Sequence, residues 1–280
     1  MSDRPATDPR RSGPSESRAP RSDTGSQGWA RLLPAAGLVA ALLVVWEVGV
    51  AVSGVSPIVL PPPSRILGSL WDFRDTALRH AAVTLTEALL GFAVALVLAV
   101  TAALVMDRMV AIRRALYPLL VGSQTVPIVA IAPLLVVWFG FGLAPKVVVI
   151  VLVSFFPIVV SLLDAFAATP AEASDLMRTL GATRRQEVRL LRWPAALPGL
   201  FTGLRIAVPY AVIGAVFGEY VGAVEGLGIW MQVSQNAFRT DLVFAAILLT
   251  AVLSVGLFAV VGIAERLVVP WHRAARRSGG

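Results

Sequence analysis

Six stretches of the chain run almost entirely apolar, at about 33–53, 81–106, 115–139, 146–166, 197–221 and 242–266. A helix needs ~20 such residues to cross a hydrocarbon layer of ~30 Å, and each stretch is long enough. Short polar segments separate them, so the pattern predicts an all-α membrane protein with six transmembrane helices. The third run contains Pro118, Pro127 and Pro133, and the fifth contains Pro198 and Pro209. Each proline removes a backbone donor and kinks its helix, which a bilayer tolerates where protein or a water-filled path satisfies the freed carbonyls. Both helices are therefore expected to bend, beside a path or through irregular packing.

Outside the runs the pattern changes. Residues 1–28 are rich in Ser, Arg, Pro, Gly and Asp and carry one apolar side chain larger than alanine, Met1. Such a segment cannot bury enough surface to fold and reads as a disordered cytoplasmic tail, with a second short tail at 273–280 and the six-helix transmembrane domain at 29–272. About thirty polar residues precede the first apolar run, which argues against a signal peptide. The stretch "VLPPPSRIL" (59–67) reads as an extended, stiff connector leading into an amphipathic piece from Ile66 to Leu78, with no binding role expected. The stretch "VEGLGIWMQVSQNAFRTD" (224–241) is too short and polar to span; a re-entrant or surface helix and an ordinary loop are both open.

The most polar stretch between two spans is "DLMRTLGATRRQEVRLLRWP", Asp175 to Pro194, with five arginines. Leu176, Met177, Leu180, Val188 and Leu191 recur near a helical period, and Arg178, Arg185, Arg189 and Arg192 fall elsewhere on the wheel. Gly181 interrupts the run. Glycine inside a helix costs ~1 kcal/mol relative to alanine, so here it is expected to end one short helix and turn the chain into the next. Two surfaces fit this pattern: one resting on anionic lipid headgroups, or one facing a soluble protein.

Composition supports the membrane reading. Of 280 residues, 15% are charged and 57% hydrophobic, and the mean hydropathy is +0.78; soluble domains carry ~25% charged residues. There is no cysteine and there are only two histidines, His80 and His272, which excludes disulfides, thiol catalysis and a histidine metal cluster. No nucleophile with its base is present for a membrane hydrolase. A P-loop requires Gly-Lys, and the single lysine, Lys146, follows Pro145, so the chain has no ATPase site and no cofactor of its own. The net charge of +7 is dispersed between the apolar runs, which speaks for membrane orientation and against nucleic acid. With the N-terminus inside, eighteen arginines fall in cytoplasmic segments, whereas Arg65, Arg74, Arg79, Lys146 and Arg239 fall outside. Both termini and the Asp175–Pro194 stretch are thus expected in the cytoplasm.

The stretch resembles the cytoplasmic signature loop of binding-protein-dependent ABC importer permeases: Glu-Ala-Ala, three residues, Gly, nine residues, Ile-x-Leu-Pro. Anchored on Gly181, Asp175, Leu176 and Met177 occupy the Glu-Ala-Ala positions, and Leu191-Arg192-Trp193-Pro194 the closing motif, with Trp193 replacing a leucine. The resemblance extends over about 32–272. It implies a type I importer permease bundle whose loop at about 170–194 is a coupling helix in the groove of a separate ATPase subunit. Asp175, Leu176, Met177, Leu180, Gly181, Ala182, Leu191 and Pro194 would make that contact, with Arg184, Arg185 and Arg189 at its rim. The implied assembly has a second permease copy, two ATPase subunits that bind ATP and Mg, and an extracytoplasmic solute-binding protein. The stretches "SQTVPIVAIAPLLVVWFGFGLAPK" (123–146) and "FGEYVGAVEGLGIW" (217–230) resemble the nitrate/sulfonate/taurine branch. The former stretch and the ending "AERLVVPWH" lean toward its permeases for thiamine-precursor pyrimidines, with aliphatic sulfonate, taurine or nitrate as alternatives. A structural anchor or adapter would need neither the loop nor broken helices.

Glu47, Glu87, Arg205 and Glu219 lie in or at the edges of spans, where an unpaired charge costs ~2.5–3.5 kcal/mol on insertion scales. Glu87, Arg205 and Glu219, with Trp138 and Phe139, are the pathway candidates; Phe141 offers a third ring for stacking on a flat solute. Pairing inside the bundle, or snorkelling by Glu47 and Glu219, is the competing reading. Gly199, Gly203, Gly214, Gly218 and Gly222 recur every fourth residue in two sets, a spacing that permits close helix approach near a subunit interface or the pathway.

Overall fold

The computed structural model describes residues 27–271. The expected tails lie outside the described residues apart from Gln27 and Gly28, as does His272. The described chain forms eleven α-helices: α1 (Gln27–Ser53), α2 (Pro63–Asp72), α3 (Arg74–Arg108), α4 (Val110–Ser123), α5 (Ile128–Phe139), α6 (Leu143–Ala167), α7 (Ala171–Thr179), α8 (Arg184–Glu187), α9 (Trp193–Gly222), α10 (Leu227–Asn236) and α11 (Thr240–Val268), with a π-helical stretch at Val188–Arg192. Of the described residues, 27–49 form one compact unit and 50–271 another. In the first, α1 leaves Leu38, Leu42 and Val45 exposed, as a helix does whose partner is lipid or another chain.

The second unit is organised around α3, α6 and α9. Gly199 of α9 lies against Ala165 of α6, Gly203 against Ser161, Gly214 against Ile150 and Gly218 against Lys146, so the two helices are antiparallel over their whole length. Four of the five repeated glycines thus face α6 of the same chain, and Gly222 lies against Phe141 and Val136. On α3, Ala88, Gly91, Ala95, Ala99 and Ala103 form a buried stripe of small residues that lets α6 approach closely. Glu87 meets Lys146 near the start of α6, and Asp107 lies next to Phe166 near its end, so α3 and α6 run parallel. Met106, Ile158, Leu162, Phe166, Leu200 and Leu204 fill the space between the three helices near the α7 end. In lipid these contacts stabilise by dispersion and shape fit, not by escape from water.

Five helices are long and apolar enough to span. The expected third span, 115–139, is not one helix: α4 and α5 meet at 101° across a four-residue break. The cause is Pro127, whose ring bars the α-conformation at Val126 and which sits extended at φ −64°, ψ 119° before α5. Counted as one broken span, the pair makes six. The fifth span has no such break; Pro198 and Pro209 lie inside a continuous α9. The amphipathic piece expected at Ile66–Leu78 is divided at Phe73, where α2 ends and α3 begins. Asp241, at the start of α11, accepts from Ser69 Oγ at 2.6 Å and from Arg239, whose guanidinium lies 5.3 Å over the Phe73 ring; α2 is tied to α11 there. These hydrogen bonds to Asp241 hold Arg239 protonated more firmly than usual, against the opposing effect of burial.

Candidate functional site

The polar loop forms as a helix, a tight turn and a second helical turn that runs on into α9. Helix α7 starts after Pro170 and ends at Leu180. Gly181 follows at φ +79°, a conformation that costs a side-chain-bearing residue ~1–2 kcal/mol. Its N–H donates to Arg178 O at 2.9 Å, and the N–H of Ala182 donates to Met177 O at 3.0 Å, which satisfies two carbonyls that the helix end would orphan. The chain restarts with a capping box: Gln186 N–H donates to Thr183 Oγ1 at 3.4 Å, and Thr183 N–H to Gln186 Oε1 at 2.8 Å. Arg178 bridges the turn, reaching the buried Glu187 at 3.3 Å and Asp175 at 3.7 Å.

Within this frame the expected docking residues divide in two. Asp175, Leu176, Leu180 and Gly181 are exposed; Met177, Ala182, Leu191 and Pro194 are half-buried against the chain itself. Leu180 is 78% exposed, and so is Leu190 to 65%, a residue the helical wheel did not select. The π-helical stretch inserts an extra residue per turn and rotates Leu190 outward where the 3.6-residue period favours Leu191. Behind it, Arg192 donates to both oxygens of Asp107, at 2.7 and 2.8 Å, donates to Phe166 O at 3.3 Å and stacks over the Phe166 ring at 5.6 Å. The apolar surface of the loop is thereby fixed to α3 and α6.

At the other end of the three-helix core a polar cluster holds α10. Glu219, fully buried on α9, accepts from Thr84 Oγ1 at 2.6 Å and from the Gly228 N–H at 2.7 Å, in the first turn of α10, where a carboxylate complements the free N–H groups. Leu227 N–H donates to Thr84 Oγ1 at 2.8 Å, and Gly226 N–H to His80 Nδ1 at 2.9 Å, with the His80 ring stacked on Trp230. Gly226 has φ +130°, and a Cβ there would collide with the Glu219 carboxylate. Glu219 therefore does not snorkel; it caps a helix. The 224–241 stretch is a helix, not an ordinary loop.

Glu87 forms a buried ion pair with Lys146, expected at the outer edge of the fourth span; their side chains are 10% and 7% exposed. The pair lies on the wall of a cavity of about 750 Å³ between α3, α6, α9 and α10. Arg205 pairs with Glu265 of α11 and lies over the Phe258 ring. Trp138 and Phe139 stand exposed at the end of α5 and do not line that cavity, whereas Phe141 does. The structure thus separates the pathway candidates and adds Thr84, His80 and Lys146 to the polar set. Among the described residues no group of three or more His, Asp or Glu side chains could hold a metal ion.

Residues 71–270 match the family model for the binding-protein-dependent transport system inner membrane component. The chain belongs to this permease family. The match runs from the end of α2 through α11 and includes both the Asp175–Pro194 loop and the α10 cluster. The permease is 40% identical, over 83% of its length and 93% of the other's, to the formylaminopyrimidine transport permease protein ThiX of Halalkalibacterium halodurans. It is 37% identical to the riboflavin transport system permease protein RibX of Chloroflexus aurantiacus, over 82% and 87% of the two chains. With the taurine permease TauC of Escherichia coli the identity is 31%, over 84% and 88%. The fold is shared with the MetNI methionine ABC transporter in an inward-facing form, at TM-score 0.59 and 22% identity, over 70% of the permease and 96% of that chain. The permease is therefore a multi-pass membrane transport subunit of an ABC importer, not an enzyme, and its family works with an ATPase and a binding protein.

Proposed function

We propose that the permease imports a thiamine-precursor pyrimidine delivered by an extracytoplasmic binding protein. The observation that carries this reading is the 40% identity to a formylaminopyrimidine permease across nearly all of both chains. The riboflavin relative, also a carrier component for a flat nitrogen heterocycle by its name, supports the same solute class over taurine. Two copies of the chain assemble with two ATPase subunits, which bind ATP and Mg. The termini and the α7–α8 loop face the cytoplasm, and the α10 cluster faces outward. Asp175, Leu176, Leu180, Gly181 and Leu190 form the surface seated in the ATPase groove, and Met177, Ala182, Leu191 and Pro194 set its shape.

The test is uptake by the reconstituted permease, ATPase and cognate binding protein in proteoliposomes. ATP-dependent accumulation of a formylaminopyrimidine, with none of taurine, an alkanesulfonate or nitrate, is the expected result. Accumulation of taurine or a sulfonate without the pyrimidine would overturn the assignment and favour the sulfonate branch.

A further inference from the structure

The cavity between α3, α6, α9 and α10 has the size of a small-molecule site, ~300–1,000 Å³, and its charge is unusual for a chain this basic. Among the described residues three charged side chains line it: Glu87, Lys146 and Glu225. Lys146 donates to Glu87 Oε1, so its positive charge is already matched, and Glu225 leaves the wall with one net negative charge. Glu87 Oε2 is buried and accepts no hydrogen bond among the described residues. A buried carboxylate oxygen without a donor is costly unless something else supplies one. Phe141 and Tyr220 also line the cavity, and Gln232 contributes an amide; the Tyr220 hydroxyl donates to Gln235 Oε1 at 2.9 Å, which steadies that ring.

We propose that this cavity is a solute site of the permease, built for a flat ring that presents N–H groups to Glu87 and built to refuse free anions. The amino group of an aminopyrimidine donates to the Glu87 carboxylate where it lines the cavity, the aromatic side chains contact the ring faces, and the Gln232 amide offers both a donor and an acceptor to the ring edge. A sulfonate or nitrate meets a wall whose single cation is spent on Glu87 and whose remaining charge repels it. Discrimination between the two solute classes thus lies in this chain as well as in the binding protein. The inference rests on the pyrimidine reading above and assigns that solute a place.

The test uses the permease–ATPase complex in lipid nanodiscs without the binding protein. Equilibrium dialysis measures binding of radiolabelled formylaminopyrimidine and, separately, taurine. The wild-type complex is expected to bind the pyrimidine saturably and taurine at least tenfold more weakly. Glu87→Gln removes the charged acceptor and frees Lys146, so pyrimidine binding should fall about tenfold or more, as for a lost charge-assisted hydrogen bond, and taurine binding should rise. Glu225→Gln, an exposed position with little bearing on folding, should raise taurine binding and so narrow the preference for the pyrimidine. Equal binding of the two solutes by the wild type, or taurine binding unmoved by Glu225→Gln, would overturn the proposal, even where Glu87→Gln fails to insert. Pyrimidine uptake by the full transporter with binding unaltered in Glu87→Gln would remove the site and leave the transported solute standing. Taurine uptake in place of pyrimidine would remove both.

Discussion

Arg192 is the point where the α7–α8 loop is fastened to α3 and α6, and the strength of that fastening can be measured. Its guanidinium makes a two-pronged pair with Asp107 at 2.7 and 2.8 Å, with side-chain exposures of 19% and 10%. Removing one member of a buried pair costs ~3–5 kcal/mol because the other charge is stranded. Residual exposure and the retained contact of Arg192 with Phe166 O lower this, so Asp107→Ala should destabilise by about 3 kcal/mol. Arg192→Ala loses the ring contact as well and should cost as much or more. Because the two side chains act on each other, the double variant should cost far less than the two singles added together, with a coupling energy of about 2 kcal/mol. Arg192→Lys, which keeps the charge and loses the fork, should recover less than half. Unfolding in mixed micelles supplies the free energies, and ATP hydrolysed per solute transported supplies the mechanical readout: loosening the joint should raise that ratio. A coupling energy below about 0.5 kcal/mol, in the range of exposed pairs, would refute the reasoning.

Gly181→Val should leave the chain inserted but impair transport, since a β-branched residue at φ +79° costs ~2 kcal/mol or more; full transport would mean the turn is dispensable. Leu180→Asp should leave stability within about 0.5 kcal/mol, as the side chain is 78% exposed, yet abolish copurification of the ATPase and the crosslink from a cysteine at Thr183 to its groove. Glu219→Ala strands the Gly228 N–H and the Thr84 hydroxyl and should cost about 2–4 kcal/mol in unfolding measurements, with faster hydrogen exchange confined to α10. A cysteine at Val224 should react with an impermeant maleimide in intact cells and one at Leu180 should not; the reverse pattern would invert the topology.

The spans were legible because twenty apolar residues in a row have few other uses, and both ends of three of them fell within about four residues of α6, α9 and α11. The 101° break was not, although Pro127 announces it: a proline marks a weak point, and whether the helix kinks, as expected here, breaks outright, or stays continuous as at Pro198 and Pro209 depends on what the neighbouring helices can satisfy. The turn at Gly181 was readable from local rules, and the capping box at Thr183–Gln186 was equally present in the sequence as a Thr three residues before a Gln. Leu190 was hidden because a π-helical stretch breaks the period on which a wheel depends. The partners of Glu87, Glu219 and Arg205 were hidden for another reason. A pair such as Thr84 and Glu219 is 135 residues apart in the chain, and nothing local in either segment signals it.

The burial of Glu87 against Lys146 bears on how the chain is made. The two residues are separated by 59 positions, and a ribosome working at ~5–20 residues per second delivers the lysine about 3–12 s after the glutamate. Through that interval α3 occupies the bilayer with an acid whose counter-charge does not yet exist, at a cost of ~2.5–3.5 kcal/mol on insertion scales. Its long apolar face must carry that cost alone until α6 arrives. Chains stopped between Arg108 and Lys146 should therefore be held at the insertion machinery or be degraded, whereas chains stopped after Ala167 are released into lipid.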